Sequence, residues 1–184
     1  MLTPAQIATL KADILANADT NSQPAGSTGN AAIMALYNAA SSTDVWQTSA
    51  PVQAVYDSID WSKFTPVDVA DSTVTYTNRL MLIQTKQMNL QSILQGRTSV
   101  DASKSNLRAG LRDAVIALPA GTAGASVTAG GASGVTVLTA LTRKANRYEK
   151  LFATATATTG TVTANLLVVE GLLSVDDLQL ARES

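Results

Sequence analysis

Apolar residues recur every three or four positions through most of this chain, the spacing of one face of an α-helix. Thr3, Pro4 and Gln6 open the first helix as cap, first helical position and reciprocal partner. Leu2 and Ile7 are spaced for a hydrophobic staple, and Ile7, Leu10, Ile14 and Leu15 carry the apolar side to about Asn17. Residues 19–29 read as a polar loop. A second helix spans residues 30–39 on Ile33, Leu36 and Tyr37. Residues 45–48 read as extended. Pro51 then opens a short helix to about Ser58 on Val52, Val55, Tyr56 and Ile59. Trp61 and Phe64 follow as aromatic plugs at the helix junction, and Thr65-Pro66-Val67-Asp68 reads as another helix start.

The longest helix is predicted over residues 72–95, with Leu80, Ile83, Met88 and Leu94 inward and Gly96 as its stop. Ser103 or Ser105 caps a helix to Leu118, built on Leu107, Leu111, Val115 and Leu118, and Pro119 ends it. Residues 120–134 form a long Gly/Ala/Ser/Thr loop. Leu138, Leu141, Ala145, Tyr148 and Phe152 keep helical spacing, which predicts one helix over residues 135–153. The alternating Ala/Thr run at 154–165 has β character. Residues 166–170 are the best strand, with 45–48 as its natural partner. Ser174 caps a short final helix. The pattern gives a mainly α fold: one domain over residues 1–184, a helical bundle with a small β-hairpin or two-stranded element. Its long Gly-rich and Ala/Thr-rich segments, about 119–134 and 154–165, are the expected contact segments. Leu10, Leu36, Leu80, Leu111, Leu141 and Leu151 are the expected core leucines.

Composition sharpens this picture. Apolar residues make up 46% but aromatics only 4%, so the core is aliphatic. Charged residues are 15%, against about 25% in an average chain. A weakly charged surface suits a subunit covered by neighbours. The net charge of −1 implies no broad field for nucleic acid or membrane. The two longest uncharged stretches, 114–142 and 151–169, are interrupted by Pro119, glycines and threonines, so neither is expected to span a bilayer.

The chain has no cysteine and no histidine, which removes the thiolate and the commonest general base and metal ligand. The Gly-rich loop lacks the lysine and hydroxyl of a phosphate cradle. Ser103-Lys104-Ser105 and the pair Asp176-Asp177 read as helix-start residues. No catalytic, cofactor-binding or metal-binding residue is expected, and the chain does not read as an enzyme. Basic residues do cluster. Lys104, Arg108 and Arg112 share one helix face by four-residue spacing, and Arg143, Lys144, Arg147 and Lys150 share a face of the next predicted helix. These seven are either a solvated, ion-paired face or the contact for an acidic partner or nucleic acid. Tyr148 is the one aromatic among them, too few for base stacking.

Residues 106–113 (Asn-Leu-Arg-Ala-Gly-Leu-Arg-Asp) lead into the Gly-rich stretch. Then come Leu138-Thr139-Ala140-Leu141, Arg147-Tyr148-Glu149-Lys150-Leu151-Phe152-Ala153-Thr154 and Val168-Val169-Glu170-Gly171. With Leu2-Thr3-Pro4-Ala5-Gln6 and Val45-Trp46-Gln47-Thr48, these motifs resemble a family of small virion proteins of tailed bacteriophages. The resemblance covers most of the chain and departs from the family in residues 120–134 and in the Ala/Thr run. It implies a structural protein of the virion, foremost a head-to-tail connector or adaptor in a neck ring, whose partners are its own copies, the portal and neighbouring neck or tail proteins. Tail-fibre attachment and a minor capsid or tail component are further roles it implies. A soluble binding module acting through the basic helices is the reading outside that family.

Overall fold

A computed structural model describes residues 1–61, 76–116 and 133–183. In chain order these form α1 (Pro4–Ala16), α2 (Ala18–Asn21), α3 (Ser27–Asn38), β1 (Ala40–Trp46), β2 (Ala50–Pro51), α4 (Val52–Asp57), α5 (Tyr76–Leu94) and β3 (Ser99–Val100). Then follow α6 (Ser105–Val115), α7 (Ser133–Ala140), β4 (Thr142–Asn146), α8 (Arg147–Leu151), β5 (Ala153–Thr159), β6 (Val162–Leu167) and α9 (Val175–Glu183). Phe64, the helix start at 65–68, the Leu80 side chain, Leu118, Pro119 and nearly all of the Gly-rich loop lie outside the described residues.

The expected helical bundle is corrected to an α/β mix. Among the described residues, nine helices accompany a four-stranded mixed sheet in the order β4-β1-β6-β5, and β2 and β3 make a separate two-stranded sheet. The expected strands at 45–48 and 166–170 are shifted towards the N-terminus: β1 runs parallel to β6, with Val45 opposite Asn165, and residues 168–170 lie beyond the strand. The Ala/Thr run folds as a hairpin of β5 and β6. Gly160, at φ +59°, takes the first position of its two-residue turn, where primed turn geometry needs a positive φ. Thr158 and Thr163 meet across that hairpin, hydroxyl to hydroxyl, at 2.9 Å.

The helix predicted over 135–153 is three elements, α7, β4 and α8. The break is chemical. Asn146 is extended and caps α8: its side chain accepts from the Glu149 N–H at 2.7 Å, and Glu149 accepts from the Asn146 N–H at 3.1 Å. This capping box starts α8 anew at the end of β4, so α8 does not continue α7. Leu138, Leu141, Ala145, Tyr148 and Phe152 are nevertheless all buried. Their spacing recorded burial and not a single helix.

The described chain divides into two compact units, one of residues 1–45, 144–155 and 165–184, the other of 46–143 and 156–164. In the first, α1 packs on α2 and α9, and α3 on α8 and α9. Thr3 and Gln6 form the expected capping box. Ile7, Leu10 and Ile14 are buried with Ile33, Tyr37, Phe152 and Leu178. Leu15 lies one residue off that stripe and is 55% exposed. The loop expected at 19–29 contains α2 and the first turn of α3. It is drawn in tightly: a Cβ on Gly29 would lie 1.8 Å from the Pro24 carbonyl oxygen. Arg182 bonds that same segment through Asn30 Oδ1 (2.6 Å) and the Gln23 and Pro24 carbonyls (3.2 and 3.0 Å).

In the second unit α6 packs between α5 and α7, and α4 packs on α7. Ile83, Leu90 and Leu94 form the buried stripe of α5. Met88 was expected inward but is 67% exposed, because five residues at 100° each place it 140° round the helix from Ile83. Gly96, at φ +73°, follows the helix end as expected. Ser103 does not cap α6; its hydroxyl and N–H go to Asp101 Oδ1 at 2.6 and 3.0 Å. Trp61, expected as a plug, is exposed and leans on Tyr56.

Of the six expected core leucines, Leu10, Leu111 and Leu141 are fully buried, Leu36 and Leu151 are half-buried, and the Leu80 side chain lies outside the described residues. Leu10→Ala and Leu111→Ala should each cost about 2–5 kcal/mol of unfolding free energy in urea titrations, and Leu36→Ala clearly less.

Candidate interaction surface

The seven basic residues do not form two helix faces. Lys104 precedes α6, is exposed and sits 3.8 Å from Asp101. Arg112 is half-buried, 3.4 Å from Asp113, and packs on the hairpin turn: a Cβ on Gly160 would lie 2.9 Å from its Nε. Arg108 is an interior residue, 2% exposed. Its guanidinium lies 4.5 Å from the centre of the Trp46 ring, and its Nη1 donates to the Ala102 and Ser103 carbonyls at 2.6 and 2.9 Å. Its Nε donates to Thr159 Oγ1 at 2.9 Å. Trp46 Nε1 donates to the Ala157 carbonyl at 2.9 Å, so one arginine and one tryptophan fasten the end of the hairpin together. Burial draws the Arg108 pKa below its ordinary value, but a guanidinium stays charged there.

Arg143 and Lys144 stand on β4, and Arg147 and Lys150 on α8, which overturns their shared helix face. Lys144 pairs with Asp44 at 2.9 Å. Arg147 pairs with Asp19 at 2.6 Å and Asp13 at 3.5 Å, and stacks 4.7 Å from the Tyr37 ring centre. Lys150 is exposed. Lys104, Arg112, Lys144 and Arg147 are thus engaged with acidic residues, and Arg108 with the interior.

Asp177 is buried and accepts from the Leu2 N–H and the Ser174 hydroxyl, both at 2.9 Å. Among the described residues no group of three acidic side chains is placed to hold a metal ion, and no helix is long and apolar enough to cross a membrane.

What stands out is apolar surface in the first unit. A groove of about 780 Å³ runs along α1, lined by Met1, Pro4, Ala8, Ala12 and Leu15, with Leu180 of α9 on its other side. Lys11 is the charged side chain in the lining. After β6 the chain forms a knob at residues 168–172. Val168 is 61% and Leu172 70% exposed, whereas Leu173 is buried and Val169 packs on the core. The knob is pinned. The Gly171 N–H donates to Glu149 Oε1 at 2.8 Å, and Asn146 Nδ2 donates to the Gly171 carbonyl at 2.8 Å. The Leu173 N–H donates to Asn38 Oδ1 at 2.8 Å. Gly171 sits at φ +119°, which favours glycine. The backbone on both sides of Leu172 is thereby fixed, which holds that side chain outward.

Sequence reasoning missed this surface. The Asn146-x-x-Glu149 spacing was legible as a capping box, but Asn146 was absorbed into a long helix. Nothing in the sequence pointed the two capping residues at Gly171.

Compared with models of known families, with curated proteins and with solved structures, the chain matches none of them. Any reading of function rests on the residues and their arrangement.

Two outcomes follow for this unit and the arginine clasp. Arg108→Lys keeps the charge but loses the fork, and should cost about 1–3 kcal/mol in chemical denaturation, whereas Lys104→Glu on the exposed side should stay within about 0.5 kcal/mol. The phenols Tyr37 and Tyr148 are both raised, first by burial. Tyr37 is raised further by donating to Asp13, and Tyr148, pushed up to about 12, by the nearby Asp177. With a folded pKa above the unfolded one, the unfolded chain deprotonates first as pH rises. The stability these phenols contribute is complete below about pH 10 and drains away above it, for Tyr148 up to about pH 12. Alkaline unfolding curves should show that slope, and Tyr148→Phe should flatten it.

Proposed function

We propose that this chain is a structural subunit of a tailed-bacteriophage particle, most simply a head-to-tail adaptor that forms a ring in the neck. The observation that supports this most is the exposed apolar surface of the first unit, a groove and a pinned knob, on a chain with only 15% charged residues. Large exposed apolar patches mark interaction sites, and a contact whose backbone is fixed beforehand costs less to make. The sequence motifs described above supply the phage setting. Tail-fibre attachment or a minor capsid or tail role uses the same surface with other neighbours.

The reading as a soluble module acting through basic helices is less well supported. Arg108 is interior, and Lys144 and Arg147 are ion-paired within the chain. Native mass spectrometry of the purified chain, together with cryo-microscopy of the source particle, tests the proposal. A closed oligomer of more than two copies in the neck is expected. A monomer that binds DNA tightly at low salt and releases it at physiological salt would favour the soluble module.

A further inference from the structure

We infer that β5 is a pairing edge: the β5 strands of two copies join antiparallel about Thr156, and the sheet of one copy continues into the other. Among the described residues the four-stranded sheet ends in β4 on one side and β5 on the other. Such edges bare backbone donors and acceptors, and chains that must stay apart guard them with charge, proline or a bulge. β4 carries Arg143 and Lys144. β5 is Ala-Thr-Ala-Thr-Ala-Thr-Thr, with no charge and no proline, and Thr154, Thr156 and Thr158 are exposed.

The hairpin decides which backbone groups are bare. Its two-residue turn makes Thr159 and Val162 a hydrogen-bonded pair, and the pairing alternates from there. Thr158 and Thr163 are then the closer, non-hydrogen-bonded pair, in keeping with their 2.9 Å hydroxyl contact. The N–H and C=O of Thr154, Thr156 and Thr158 therefore turn away from β6. Among the described residues they meet no other backbone partner.

The strand's own sequence names the occupant, because β5 is its own complement. Read antiparallel about Thr156, Thr154 faces the partner's Thr158, Ala155 the partner's Ala157, and Thr156 the partner's Thr156. All three outward residues then pair, with about six ladder hydrogen bonds and no charge opposing another. Any other register leaves at least one of them unpaired on each copy. The strand is also fixed before a partner arrives: Trp46 Nε1 donates to the Ala157 carbonyl and Arg108 Nε to the Thr159 hydroxyl, each at 2.9 Å. Association does not have to order it. The pairing goes beyond the neck reading and does not rest on it. A self-complementary contact closes at two copies, so a ring would be joined by other surfaces.

The test uses the full chain with Thr156→Lys and Thr156→Glu, folding confirmed by circular dichroism and association followed by sedimentation. Because Thr156 faces itself across the two-fold, each variant alone sets like charges opposite each other and should associate about tenfold more weakly than wild type, or worse. Mixed together, the two should recover a 1:1 pair. If either fails to fold, Thr156→Pro takes its place: the N–H it removes lies outside the hairpin ladder, so the hairpin should survive and the pairing should not. A wild type that stays monomeric, variants that associate as wild type does, or a Lys/Glu mixture that stays monomeric would each overturn the pairing. A larger ring that both variants form unchanged leaves the neck reading standing while the pairing falls. Wild-type pairs that never grow beyond two copies, and that the substitutions break, uphold the pairing and sink the ring.

Discussion

A carboxylate can stay in a protein interior only where donors meet its oxygens, and Glu149, at 1% exposure, is held in that way. One oxygen accepts from the Asn146 N–H and the other from the Gly171 N–H. The first bond closes a capping box and so starts α8 where β4 ends. The second reaches 22 residues along the chain and fixes the outward loop after β6. Strand, helix and knob therefore share one buried carboxyl group. Removing it would leave two backbone donors unmet and loosen three features together.

The arginines follow a related logic. In a chain with few charges, cations are expected on the surface, yet Arg108 is built into the interior. Its planar fork reaches two carbonyls and a hydroxyl while its face lies on Trp46. A lysine offers no such geometry. Arg112 then covers the adjacent turn at Gly160, where a side chain would collide with it. Residues spaced as a binding stripe are thus used to attach a hairpin.

What the sequence made legible was local chemistry and burial. Thr3 and Gln6 formed the predicted capping box, Leu10 and Leu111 are core, and β1 does pair with β6. The number of strands was not legible. β1 has the sequence Ala-Ser-Ser-Thr-Asp-Val-Trp, with no alternating apolar face before Val45, so neither its length nor its place inside a larger sheet shows. β4 was hidden by residues that keep helical spacing while belonging to three elements. Periodicity reports which residues turn inward; a cap decides where the geometry changes. The knob was out of reach for a further reason. Exposure at Leu172 depends on side chains from α3, from the end of β4 and from α8, which are far away in sequence and meet only in the fold.

The discontinuity of the first unit also bears on how the chain is made. Its core joins Leu10 and Ile33 to Tyr148, Leu173 and Leu178. A ribosome emits the first two long before the last. At about 5–20 residues per second, the apolar faces of α1 and α3 wait on the order of ten seconds for their partners. During that interval they are exposed to chaperones and to other nascent chains. The second unit has its last segment, 156–164, in hand earlier. Synthesis thus sets an order that equilibrium stability does not reveal: the unit that begins the chain is the last to be completed.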